Sequence, residues 1–220
     1  MSIKEAVDSH MLNHENHLEY LKSRRIIMSR PIIMGAESVL AILEGRKTQT
    51  RRVINPRKYN IAGWDMPRTK EDMEAGYPFA ENADGDSFSV VDWCPYGRIG
   101  DRLYVKETWA KCPDGGCLYK ADPMFIGCDK SDFAWDWKSP MFMPRWASRI
   151  TLEITDIRVE MVQDITPEDA LKEGFCNYGT DVDTLDAFCE AWQKLNAKRG
   201  YPWKNNDWVW VISFKVVGEQ

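Results

Sequence analysis

The sequence predicts an α+β fold, a small mixed β-barrel with flanking helices and a long irregular insertion. Three observations predict it. Segments rich in β-formers lie far apart along the chain; only three stretches of the body carry a helical pattern; and from 55 to 100 no period is sustained, within an insertion expected over about 55–148. At 220 residues the chain suits one such domain, since a single core serves roughly 100 to 200 residues.

Residues 1–28 read as an N-terminal extension, polar and without an apolar face, so a loosely ordered arm is expected before a body at 29–220. "RPIIM" opens the body as a strand. Ser38 is the expected N-cap of the helix in "VLAILEG", where Val39, Leu40, Ile42 and Leu43 form an apolar side, and Gly45 ends it. A strand follows over 47–54. The stretch 55–100 is rich in Pro, Gly and acids and reads as a surface insertion, after which "GDRLYVKETWA" and "GGCLYKAD" supply short strands. Residues 125–148 form an irregular aromatic segment.

The most regular strand is "ITLEITDIRVEMV", whose alternation shifts at Asp156 and predicts a bulge there. Thr166 as N-cap and Pro167 at the first helical position start a short helix that Gly174 ends. An amphipathic helix over about 181–197 carries Leu185, Phe188, Cys189, Trp192 and Leu195 on one side. "DWVWVISFKVV" closes the chain as a strand.

Composition excludes several classes. Hydrophobic residues make up 44% and charged residues 29%, and no run approaches the ~18 apolar residues of a membrane helix. No apolar block of a secretory leader opens the sequence, so a cytoplasmic location is expected. The net charge of -5 argues against indiscriminate coating of nucleic acid. The six cysteines then read as reduced thiols; Cys94, Cys112, Cys117 and Cys128 lack the second close pair of a zinc knuckle. His10, His14 and His17 share a helical spacing without a carboxylate or cysteine to complete a metal site. Neither a metal nor a cofactor is therefore expected. Because 29–220 contains no histidine, acid-base chemistry in the body has to use Lys, Glu, Asp, Tyr or Cys.

Against that acidic background, "GRKTQTRR" over 45–52 concentrates Arg46, Lys47, Arg51 and Arg52 where a helix turns into a strand. Such a run is either a solvated face or a corner at which charged side chains converge on a ligand. The segment from Trp135 to Arg149 also has two readings. Arg145, Trp146 and Arg149 could hold an unstacked base, a contact worth ~1–3 kcal/mol, or the rings could fill a second layer of core. Glu107 is a further candidate carboxylate, explained equally well as a strand charge facing water.

"GRKTQTRR" resembles the GxKxxExR signature of the ASCH domains, a branch of the PUA-like barrels associated with RNA, with Thr50 where many members carry Glu. "GDRLYV", "KETW", "MPRWASRI", "DITPEDALKEG" and the ending "KRGYPW…WVWVISF" extend the likeness over roughly 30–217, toward a prophage-borne subfamily with a large insertion. The Lys-x-x-Thr core is similar to that of bacterial ASCH proteins, about half as long, which hydrolyse acetylcytidine. That resemblance implies catalytic roles for Lys47, Thr50 and Glu173. It also implies an RNA or nucleoside ligand, for which the basic run, the aromatic segment and the strand carboxylate offer Arg46, Arg51, Arg52, Glu107, Arg145, Trp146 and Arg149 as candidate contacts. An amidohydrolase, a non-catalytic reader of RNA or modified bases, and a ribonuclease all remain open at this stage.

An amide hydrolase needs a nucleophile and a base. A lysine serves as base only when burial or neighbouring cations bring its pKa down from ~10.4 toward 7 to 8. In a regular strand residues 47 and 50 face opposite sides, so they converge only if the corner after Gly45 rotates the chain. A carboxylate at Glu173 would partly oppose the downshift.

Overall fold

The computed structural model describes residues 27–55, 61–65, 79–82, 87–89, 91–125, 135–175 and 181–218. Residues 1–26 of the arm expected over 1–28, with its histidines, and Cys128 and Cys176 lie outside the described residues.

Strand β1 (Ser29–Ile33) leads into helix α1 (Ala36–Leu43) and strand β2 (Gln49–Val53). Strands β3 (Ile61–Asp65), β4 (Phe79–Asn82) and β5 (Ser87–Ser89) follow, then β6 (Arg102–Lys106), β7 (Trp109–Lys111) and β8 (Cys117–Tyr119). The long β9 (Thr151–Met161), helices α2 (Pro167–Lys172) and α3 (Asp181–Asn196), and β10 (Trp208–Val216) complete the chain.

The main sheet has five strands in the order β1-β6-β9-β10-β2, with β1 parallel to β6 and the other pairs antiparallel. The expected α+β class holds, but no closed barrel forms among the described residues. Among the described residues β1 and β2 are the outer strands and share no ladder; the Arg52 guanidinium spans the seam instead, donating to the Ile33 carbonyl at 2.8 Å. Strand patterns register how much sheet a chain contains and say little about which edges meet.

Strand β10 is buried on both faces. Trp210, Ile212 and Phe214 join Ile32, Val39, Ile42, Leu103 and Leu152 in one cluster, while Val209 and Val211 pack with Ala170, Phe188 and Trp192 in a second. That double burial is why "WVWVISF" reads as a nearly unbroken apolar run. Opposite it, β9 contains the expected bulge: Ser213 pairs with Asp156 and Phe214 with Ile154, leaving Thr155 unopposed.

Helix termini follow their local chemistry. Thr166 Oγ1 accepts from the Asp169 amide at 3.2 Å, and Gly174 turns away from α2 with φ of 95°. At α1 the expectation fails, because the N-cap is Gly35 and Ser38 sits inside the first turn. The hydroxyl at 38 suits a cap, yet the chain turns three residues earlier, directly after β1. Two apolar assignments also shift, since Leu43 and Leu195 are exposed.

The insertion is more ordered than its composition suggests. Strands β3, β4 and β5 form a three-stranded antiparallel sheet and β7 pairs with β8. Elements this short are over before an alternating pattern can repeat.

Candidate active site

The corner after α1 is built by the backbone. The Ala41 carbonyl accepts from the amides of both Arg46 and Lys47 at 2.9 Å, closing a tight loop through Gly45, whose φ is 73°. Thr48 is then pinned from two sides: its amide donates to the Lys172 carbonyl and its carbonyl accepts from the Phe214 amide, both at 2.8 Å. Lys47 therefore lies before β2, bridged to Glu173 at the end of α2. This placement releases Lys47 from strand parity, so that Lys47 and Thr50 line one cavity.

Lys47 is 4% exposed, and its Nζ donates to Glu173 Oε2 at 2.6 Å and to the Glu173 carbonyl at 2.7 Å. A carboxylate at a helix C-terminus is ordinarily disfavoured by the helix dipole. Here Lys47 and Arg51 provide its counter-charge. Desolvation lowers the Lys47 pKa below the usual lysine value of 10.5; Glu173 pulls it back up, and the nearby Arg52 and Arg51 add to the lowering. The downward direction prevails.

Arg51 is a hub. Its guanidinium donates to Glu173 Oε1 at 3.3 Å, to Asp169 Oδ2 at 3.0 Å and through Nε to Glu160 Oε1 at 3.0 Å. Arg158 reaches the same two carboxylates, Glu160 and Asp169. Burial pushes Asp169 up, but Arg158, Arg51 and Lys172 overcome it and hold the carboxyl below its usual range. Arg51 borders the cavity with every nitrogen occupied, so its part is to clamp β2, β9 and α2 together around Glu173.

The cavity measures about 850 Å³ and follows the free edge of β2 between α1 and α3. Phe175, Phe188 and Trp192 give it an aromatic wall, with Phe188 meeting Phe175 edge-on at 5.6 Å. Arg46 and Arg52 also line it. Arg46 is turned toward Glu44 and donates to the Gly174 carbonyl at 2.5 Å.

The other sequence candidates lie elsewhere. Glu107 is 1% exposed and receives both Nε and Nη2 of Arg149, at 3.0 and 3.1 Å; Arg149 also reaches Asp122 at 2.5 Å and stacks over Tyr119 at 4.0 Å. Desolvation raises the Glu107 pKa and Arg149 opposes that rise. The pair fastens the insertion to the sheet, and the strand charge at Glu107 points inward. Arg145 stacks on Tyr104 at 5.4 Å, and Trp146, 65% exposed, meets Trp109 edge-on at 5.7 Å. None of these four lines the cavity.

Sequence reasoning missed Lys106, which lines the cavity from β6, and the carboxylates Glu160 and Asp169 that hold Arg51. The alternation of buried Leu103 and Val105 with Tyr104 and Lys106 was the available signal for Lys106. Among the described residues no group of three or more His, Cys, Asp or Glu is arranged for a metal ion, and no helix is long and apolar enough to cross a membrane. Cys94, Cys112 and Cys117 are free thiols.

No family model and no curated protein matches the chain. Among solved structures, protein EF3133 of Enterococcus faecalis V583, assigned to family DUF984, aligns with a TM-score of 0.42 at 11% identity, over 94% of this chain and 86% of that one. An ASCH domain from Lactobacillus crispatus JV V101 aligns with a TM-score of 0.38 at 13% identity, over 90% and 89%. At such scores neither alignment bears on the chemistry, which rests on the atoms of the site.

Proposed function

We propose that the cavity binds a nucleoside and that Lys47, Thr50 and Glu173 hydrolyse an acyl amide on its base, as in acetylated cytidine. The observation that carries this reading is a desolvated lysine, bonded to a carboxylate 126 residues away, on the same cavity wall as a buried threonine. The resemblance of "GRKTQTRR" to the ASCH signature supports the ligand class, and the PUA-like character of the fold belongs to the same proposal.

The hydrogen bonds suit a base. Two N–H groups of Lys47 are committed to Glu173, which orients the amine and leaves its third position for a lone pair when the group is neutral. Burial makes that neutral form accessible. The Thr50 hydroxyl attacks the acyl carbon as its proton passes to Lys47; the C–N bond breaks and the departing amine takes that proton. Water then cleaves the threonyl ester, releasing the acid. Phe188 and Trp192 offer an aromatic face to the base.

A second reading is favoured by the same carboxylate, because Glu173 stabilises Lys47 as an ammonium ion, which suits a non-catalytic reader. Incubation with N4-acetylcytidine separates the two. Release of cytidine that is abolished in Lys47→Ala, and that rises with pH along an ionisation below 10.5, is expected for the hydrolase. No turnover, together with salt-sensitive RNA binding, would leave the reader.

A further inference from the structure

Charge is unevenly compensated around the cavity. Six cations line it against two carboxylates, Glu37 and Glu173, in a chain whose net charge is -5. Arg46, Lys47 and Arg51 are neutralised by Glu44, Glu173, Glu160 and Asp169. Among the described residues Arg199, Arg52 and Lys106 have no carboxylate partner; Arg199 donates to the Asn196 side-chain oxygen at 3.2 Å. Arg52 donates from Nη2 to the Ile33 carbonyl at 2.8 Å and to Met34 Sδ at 3.2 Å; Lys106 donates to the Met141 carbonyl at 2.6 Å. All of these acceptors are neutral.

Arg52 and Lys106 belong to one corner. Lys106 is the register partner of Ile33, whose carbonyl holds Arg52, and the Lys106 carbonyl accepts from the Met34 amide at 3.0 Å. Arg52 also lies within electrostatic reach of Lys47, helping to lower its pKa. A continuous path therefore runs from the lysine–threonine wall past Arg52 to Lys106.

We infer that Arg52 and Lys106 form a subsite for a phosphate ester, so that the ligand of the cavity is a nucleotide and not a free nucleoside. The nucleotide class rests on the function proposed above; the anion subsite rests on the charges alone. Arg52 keeps the N–H groups of Nε and Nη1 without a partner among the described residues, donors on two different sides of the guanidinium that can each meet a phosphate oxygen, and Lys106 has donors to spare for another. A multiply charged phosphate can take single donors from a guanidinium and an ammonium together, and the neutral acceptors beside them leave their charge uncancelled. The exposed Glu37 is the one carboxylate of the cavity lining besides Glu173. Its charge opposes an incoming phosphate and reduces the gain.

The test is calorimetric titration of the full chain at low salt with N4-acetylcytidine, its 5′-monophosphate and ribose 5-phosphate. The monophosphate is expected to bind the wild type roughly 10- to 100-fold more tightly than the nucleoside. Arg52→Gln and Lys106→Gln should each reduce that ratio, and together bring it near one. Should Arg52→Gln fail to fold, Lys106→Gln, at a partly exposed strand position, decides alone. A short single-stranded RNA containing acetylcytidine, titrated in parallel, identifies the source of the phosphate: either ligand must depend on the same two cations, and tighter binding of the strand than of the monophosphate assigns the phosphate to RNA. A ratio near one in the wild type, or one that survives the double variant, overturns the subsite. Ribose 5-phosphate binding that requires Arg52 and Lys106, without hydrolysis of any acetylated probe, supports the subsite and sinks the amidohydrolase. Hydrolysis with no phosphate preference does the reverse.

Discussion

Replacing Gly174 by alanine tests how tightly the end of α2 is fitted against Lys47. Gly174 has φ of 95°, and a Cβ built there would lie 2.8 Å from Ala41 Cβ and 3.0 Å from Lys47 Cβ. The left-handed backbone costs an L-residue roughly 1–2 kcal/mol. The overlap adds ~1–3 kcal/mol, because both neighbours are buried and α1 has to yield. Together these amount to about 2–5 kcal/mol. Gly45 supplies the control: its φ is 73°, yet nothing lies within 4 Å of the added carbon, so Gly45→Ala should lose only the backbone part, roughly 1–2 kcal/mol. For a domain of this size each kcal/mol moves Tm by about 2–4 °C, which urea and thermal unfolding resolve easily. Losses for the two variants that agree within ~0.5 kcal/mol would refute the claim that Lys47 and α2 are in close contact.

Two further outcomes follow from the charged clusters. Arg149→Met strands the Glu107 carboxylate in the core and should cost roughly 3–5 kcal/mol near neutral pH. Because burial already raises the Glu107 pKa, that loss should shrink as the pH is lowered and the acid becomes neutral, a trend read by urea unfolding at several pH values; a pH-independent loss would contradict it. Asp169 has the opposite sign: its folded pKa is depressed, so its contribution is present at neutral pH and is lost as the pH falls through the folded value. Arg158→Gln, which removes one of the cations responsible, should move acid unfolding followed by circular dichroism to higher pH.

Much of this was legible because certain residues act locally. Thr166 and Pro167 start a helix by the chemistry of one turn, Gly174 ends it, and the apolar run of β10 reports burial on both faces. The site was only half legible. A motif names Lys47 and Thr50, but strand parity sets them apart, and what reunites them is a loop closed on the Ala41 carbonyl, which no pattern of side chains encodes. Arg51 illustrates the other obstacle. Its type and position suit ligand binding equally well, and only the arrival of Glu160, Asp169 and Glu173 from 109 to 122 positions downstream assigns it to the scaffold.

Strand β10 lends alternate residues to both apolar layers, so neither layer owns its floor. Freeing this strand would lay bare Trp210 and Ile212 on one side and Val209 and Val211 on the other at once. Loss of this strand would therefore cost both layers their packing together, which couples the stability of one to that of the other.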